Sequence, residues 1–276
     1  MAVRNFILYS CFALLGSPVG FLQAQTLQAH IPNTLSQFEP SACPQVGPLY
    51  PWKLNIKATV FWVGERPTQN NPVPNCKSSW DISWKWNFGG FDDPSGKNRS
   101  GFRPSNFVPR LNPFYVALPY NDVAANHRHK PEAPEVIPWY DKAYNGPGKS
   151  VCKGRWVAIQ LRDRICYARW EDCGPFVTDD WEYVFGKAKP KTKGNGGAGI
   201  DLSPSVRDYL GMSSSAIVNW RFVEVNEVPA GPWRRWGENN HFVHTRELEA
   251  AEMARRLADL RKSDDPWTRV LPQICR

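Results

Sequence analysis

Two aspartates carry the residue types and surroundings for acid–base chemistry. Asp172 lies in Cys166-Tyr-Ala-Arg-Trp-Glu-Asp172-Cys-Gly-Pro-Phe176, and Asp201 in Gly199-Ile-Asp201-Leu-Ser-Pro-Ser-Val-Arg-Asp-Tyr-Leu-Gly-Met212. Each falls where an extended segment gives way to turn formers, so the two carboxylates can converge on one groove. Cleavage of a glycosidic bond requires such a pair, one group giving a proton and the other acting as base or charge stabiliser. Like charges in one groove raise the pKa of one member and keep it protonated. Both residues also have plainer readings. Asp201 precedes a helix start, where the dipole favours a carboxylate, and Asp172 is a turn former ahead of Gly174-Pro175.

The elements that must hold these residues are mainly strands. Leu54–Val63 is rich in β-formers, and Phe114–Leu118 is a short apolar run stopped by Pro119. Arg155–Gln160 and Arg164–Trp170 form a hairpin about Arg162-Asp163, and Val218–Val225 is a final strand. Between them, Ser203-Pro204 reads as N-cap and first helical residue, with Gly211 as the stop. Strand parity places Trp170 on the same side as Asp172. Trp170, Trp181 and Tyr120 flank the expected groove and are candidate stacking platforms for sugar rings. Residues 25–56 are irregular and Pro-rich, the barrel spans 57–229 with insertions at 66–113 and 121–150, and 230–276 is a helical extension. In that extension Ala250, Met253, Ala254, Leu257 and Leu260 form one apolar stripe over 245–262, predicting a helix packed back on the barrel.

Composition bounds the function. Arg4 and the apolar run Phe6–Leu22, ending at Ala24, read as a signal peptide over 1–24, so the expected location is secreted or periplasmic. No later segment approaches the ~20 apolar residues of a membrane span, so no membrane insertion is expected after signal removal. The formal charge of +8 suits an anionic polymer. The basic residues are scattered and no nucleic-acid motif is present, so nucleic acid is not an expected partner. Six cysteines remain after the signal (Cys43, Cys76, Cys152, Cys166, Cys173, Cys275), and an even count in an exported chain favours disulfides. The hairpin geometry puts Cys152 opposite Cys173. His127-x-His129 and His241-x-x-His244 have ligand-like spacing but sit in polar surroundings and read as solvated surface. No metal or other cofactor is expected, and the sequence leaves the oligomeric state open.

The order of segments resembles the double-psi β-barrel group: a hairpin ending Asp172-Cys-Gly-Pro-Phe176, Asp201-Leu-Ser203 opening a helix that ends Leu210-Gly-Met212, then Asn219-Trp-Arg-Phe-Val223. Within that group it is similar to the rare lipoprotein A family of lytic transglycosylases and to expansins. Ala58-Thr-Val-Phe61 and Val116-Ala-Leu-Pro119 extend the similarity to about residues 57–226. The resemblance implies a six-stranded double-psi β-barrel with long loop insertions and a C-terminal α-helix. It also implies a polysaccharide partner, peptidoglycan or another wall glycan. Asp172 matches the transglycosylase aspartate and the first groove aspartate of expansins; Asp201 matches the second, the general acid in related endoglucanases. Thr59 matches a groove hydroxyl of expansins. Two positions depart from the pattern. Tyr115 stands where the transglycosylases have a histidine, which makes it a candidate substrate contact, and Gly199 stands where expansins often have another. The sequence therefore supports two readings, an enzyme that cleaves or loosens a glycan network and a non-catalytic expansin-like binding or structural barrel.

Overall fold

The structure, a computed structural model, describes residues 49–68, 72 and 74–264. The expectations for the signal peptide, Cys43 and Cys275 lie outside the described residues. Six strands close into a barrel: β1 (Lys53–Val60), β4 (Tyr115–Leu118), β5 (Trp156–Leu161), β6 (Arg164–Cys173), β7 (Ile200–Leu202) and β8 (Ser215–Val223). Two further strands, β2 (Arg99–Ser100) and β3 (Arg103–Pro104), make a small separate hairpin in the first insertion. The order around the barrel is β1-β7-β4-β6-β5-β8. β1 and β7 are parallel, as are β4 and β6, and the remaining neighbours are antiparallel.

Register sorts the side chains. Pairs Ala58–Ile200, Leu202–Val116, Val116–Trp170, Cys166–Ile159 and Ile159–Trp220 put one set on a common face, and all of these are buried. Branched and aromatic residues fill the interior of so small a barrel without leaving a channel. The opposite face of β1, β7, β4 and β6 carries Thr59, Asp201, Ala117 and Asp172.

The helix after β7 follows its sequence signals. Ser203 caps α5 (Pro204–Leu210) by accepting from the Val206 N–H at 3.3 Å, and Gly211 ends it in the left-handed region at φ 68°. This fixes the chain leaving Asp201. The first insertion contributes α1 (Trp84–Phe88), which packs Trp84 and Phe88 against Phe61, Val63, Tyr115 and Ala117. The second contributes α2 (Ala133–Val136) and α3 (Tyr140–Ala143); between them Trp139 lies edge-on to Tyr50 and Phe222. His129 departs from the solvated-loop reading, since its side chain is 7% exposed and meets Tyr140 and Tyr144 edge-on.

The C-terminal helix exists but sits differently from expectation. α6 (His241–Asp264) is anchored at its start, where Phe242 meets Trp156 and lies under the Arg234 guanidinium. Its expected core stripe faces outward: Met253, Leu257 and Leu260 are each at least half exposed. An apolar periodicity records a preferred face without guaranteeing a surface to meet it. Leu257→Ser should therefore change stability by less than ~0.5 kcal/mol in a denaturant titration, whereas a core leucine would cost several times more.

The cysteine expectation also changes. Among the described residues Cys76, Cys152, Cys166 and Cys173 are all free thiols. Cys173 is directed at the Tyr120 carbonyl oxygen, 3.1 Å away, and burial pushes the Cys152, Cys166 and Cys173 thiols up.

Candidate functional site

The site begins as a row across four strands. Thr59 on β1 pairs with Asp201 on β7, Asp201 with Ala117 on β4, and Ala117 with Asp172 on β6. Residues opposite one another in register point to the same face, so the row presents hydroxyl, carboxyl, methyl and carboxyl in sequence. Two strand spacings, about 9–10 Å, separate the aspartate Cα atoms. The small Ala117 side chain between them leaves the space open. All three polar members were candidates from sequence, and the barrel brings Asp172 and Asp201 into one cavity of about 270 Å³.

The bulge in β6 decides which face Asp172 takes. Val116 pairs with Trp170 and its neighbour Ala117 with Asp172, so Glu171 is an extra residue on β6. That insertion sends Trp170 inward and Asp172 outward, reversing the shared parity expected from simple alternation. Trp170 is fully buried, and its indole N–H donates to the Asp172 carbonyl oxygen at 2.8 Å. It thus supports the strand beneath the carboxyl without facing the cavity.

The two carboxyls have different partners. Asp172 is 8% exposed, and its Oδ1 accepts the Ser79 and Cys173 backbone N–H groups at 2.7 and 2.8 Å. Burial raises its pKa from 3.8 to about 6, while these N–H donors pull the other way. Asp201 accepts from the Thr59 hydroxyl. Burial raises its pKa to about 6 as well, opposed by the Thr59 hydrogen bond and reinforced by the negative charge of Asp172. The pair therefore holds protons well above the ordinary carboxylate range. N–H donors favour ionised Asp172, and its charge favours protonated Asp201. In Thr59→Val the Asp201 carboxyl loses the donor that stabilises its ionised form. Its titration midpoint should move above 6, read by the carboxyl ¹³C shift, with Asp172 moving less.

The other sequence candidates lie elsewhere. Tyr115 is 1% exposed; its hydroxyl donates to Asp92 Oδ2 at 2.8 Å and accepts from the Val63 N–H at 2.9 Å. Tyr120 is buried, with its hydroxyl on Glu132 and the Lys130 ammonium over its ring. Trp181 opens α4 (Trp181–Val184), half-buried against the main core. None of these three lines the aspartate cavity. Gly199 has no room for a side chain, since a Cβ there would lie 2.5 Å from Pro190 Cγ and 2.7 Å from the Tyr183 hydroxyl.

Loops supply the walls that sequence reasoning missed. Ser78 and Ser79 come from the first insertion, and Phe176, Thr178 and Asn195 from the segments after β6. Asn195 follows a loop segment carrying Lys187, Lys189, Lys191 and Lys193, which is tied down by the Lys191–Glu182 ion pair at 2.7 Å and by the Lys191 N–H on Asp180 Oδ2. Nothing in the local sequence around Ser79 announces that its N–H will meet a carboxylate 93 residues away.

No known family model matches the chain, and no curated protein does. Among solved structures, it is similar to a Streptomyces papain inhibitor, at 13% identity over 63% of this chain and 96% of that one, with a TM-score of 0.25.

Proposed function

We propose that this protein is an exported double-psi β-barrel that acts on or loosens a wall glycan, peptidoglycan in the first instance, in a groove lined by Asp172 and Asp201. The observation that carries the reading is the cross-strand row Thr59–Asp201–Ala117–Asp172, which places two carboxyls of raised pKa in one cavity. Two parallel strand pairs within an otherwise antiparallel six-stranded barrel support the double-psi assignment. In this scheme protonated Asp201, steadied by Thr59, gives its proton to the leaving glycosidic oxygen. Ionised Asp172 stabilises positive charge developing at the sugar or serves as base. Both roles operate near pH 6, where the pair holds about one proton.

A second reading, a barrel that binds glycan without cleaving it, is favoured by a different observation. The two places where relatives in the resembled group carry a histidine bring no titratable group to the cavity here. Tyr115 is locked to Asp92, and Gly199 is too crowded for any side chain. Mass spectrometry of soluble products separates the two. The protein and Asp201→Asn are incubated with peptidoglycan, cellulose and chitin. Anhydro-muropeptides lost in the variant establish a lytic transglycosylase, and new reducing ends establish a hydrolase. Binding with no products from any polymer rejects the enzyme.

A further inference from the structure

A second cavity adjoins the first and has the opposite electrostatic character. It encloses about 870 Å³, and Ser79 and Thr178 line both, so they form a common wall. Its lining includes His127, Lys130, Lys149 and Lys153, and no acidic residue. Two acidic groups of the same insertion are engaged elsewhere. Asp122 accepts from the Ser150 hydroxyl and the Val151 N–H, and Glu132 accepts from Tyr120. Lys130 donates to the Thr178 carbonyl at 2.7 Å, and Lys153 reaches the Trp80 carbonyl at 3.5 Å. An ammonium has three donors, so each keeps hydrogens for a ligand. Trp80 adds a half-buried indole, fixed by its N–H on Asn121 Oδ1 at 2.8 Å.

The volume suits a sugar unit or two, and the common wall makes the two cavities stations along one groove. Above pH 6 the aspartate station carries two carboxylates against the single ammonium of Lys77 and disfavours anions, while the lysine station attracts them. A polymer of mixed units is therefore held in one register, with its anionic unit at the lysines and a neutral unit at the carboxyls. Attraction at one station combined with repulsion at the other is how charge gives specificity. We propose that this lysine-lined cavity is a subsite for a sugar bearing an anionic substituent, carboxylate or phosphate, in the polymer whose linkage lies at Asp172 and Asp201. The assignment rests on the glycan reading above and names the substrate class within it.

The test is calorimetric titration of the full chain with three tetrasaccharides: a uronic acid tetramer, a phosphorylated tetramer and a neutral N-acetylglucosamine tetramer. Wild type should bind at least one acidic tetramer about tenfold more tightly than the neutral one, the magnitude expected of two or three exposed ion pairs. The more tightly bound acid identifies carboxylate or phosphate as the substituent. Lys149→Gln/Lys153→Gln changes two exposed side chains and should keep the melting temperature while losing the acidic preference. The preference should also collapse in 0.5 M salt. An equal affinity for all three tetramers in wild type, or a preference that survives in the double variant, overturns the subsite. Carboxyl ¹³C shifts separate the two possible failures. A neutral tetramer that leaves Asp172 and Asp201 unperturbed overturns the glycan reading itself, whereas perturbed carboxyls without acidic preference overturn the lysine subsite alone.

Discussion

Asp201→Asn should lose product formation by roughly 10²–10⁴-fold, the contribution of a positioned general acid, and yet melt at a higher temperature than wild type at pH 8. The second half follows from the direction of the pKa shift. A carboxyl that titrates at about 6 in the folded protein and near 3.8 unfolded binds more protons folded than unfolded between those values. Stability is then greatest below pH 4 and falls as pH rises through 4–6, by about 3 kcal/mol for one such group. Asparagine keeps an oxygen for the Thr59 hydroxyl and never ionises, so the variant avoids that loss. Coupling to Asp172 shares the effect between the two residues, which makes about 1–3 kcal/mol the expected gain at pH 8 and nothing the expected gain at pH 3.5. Thermal unfolding of both proteins at the two pH values, beside the product assay, checks both halves. A variant that is inactive and also less stable at pH 8 would mark Asp201 as part of the scaffold. Activity lost against stability gained is the signature of a carboxyl held ionisable in a dry place for chemistry.

The sequence exposed the parts of this site that depend on local rules. Ser203-Pro204 and Gly211 bracket α5 because capping is decided within a few residues. The hairpin from Trp156 to Cys173 was visible because both arms are rich in β-formers about a polar turn. Both aspartates were singled out by their place at strand ends and by motif resemblance, and the barrel does bring them together. The side to which Asp172 points could not be read. Glu171 extends the strand without a break, and only pairing with β4 reveals it as the extra residue that turns Trp170 inward. The buried roles of Tyr115 and Tyr120 depend on partners in the long insertions, and loops carry no periodicity from which to place Asp92 or Glu132. The α6 stripe shows the converse, since its pattern is plain and its residues meet no core.

Arg99→Met should cost about 3–5 kcal/mol, because it strands a buried carboxylate that wild type pairs. Arg99 and Asp92 are 3% and 0% exposed in their side chains, with Nη1 on Asp92 Oδ1 at 2.6 Å. The same guanidinium holds Asp208 Oδ2 at 2.9 Å, the Ser205 hydroxyl at 2.8 Å and the Asp93 carbonyl at 2.8 Å. It therefore ties the first insertion to α5, while Asp92 Oδ2 takes the hydroxyl of Tyr115 on β4. Burial already pushes the Asp92 carboxyl up, and Arg99 is the main group opposing it. Without Arg99 the Asp92 carboxyl is pushed further up, so the variant's deficit, which includes the lost contacts to Asp208, Ser205 and Asp93, should be smaller near pH 4 and grow towards pH 8. Denaturant titrations at both pH values measure this, and adding Asp92→Asn should recover part of the loss at pH 8 by removing the unpaired charge. The consequence reaches the site through Ser79, which lies on the same insertion and donates its N–H to Asp172. If the insertion loosens, Asp172 loses a donor that favours its ionised form and should titrate higher. A variant that is destabilised while Asp172 keeps its titration would show that Ser79 is held by contacts independent of Arg99. A rise in the Asp172 midpoint would make the buried Arg99–Asp92 pair a positioning device for the carboxyl on the far side of the same loop.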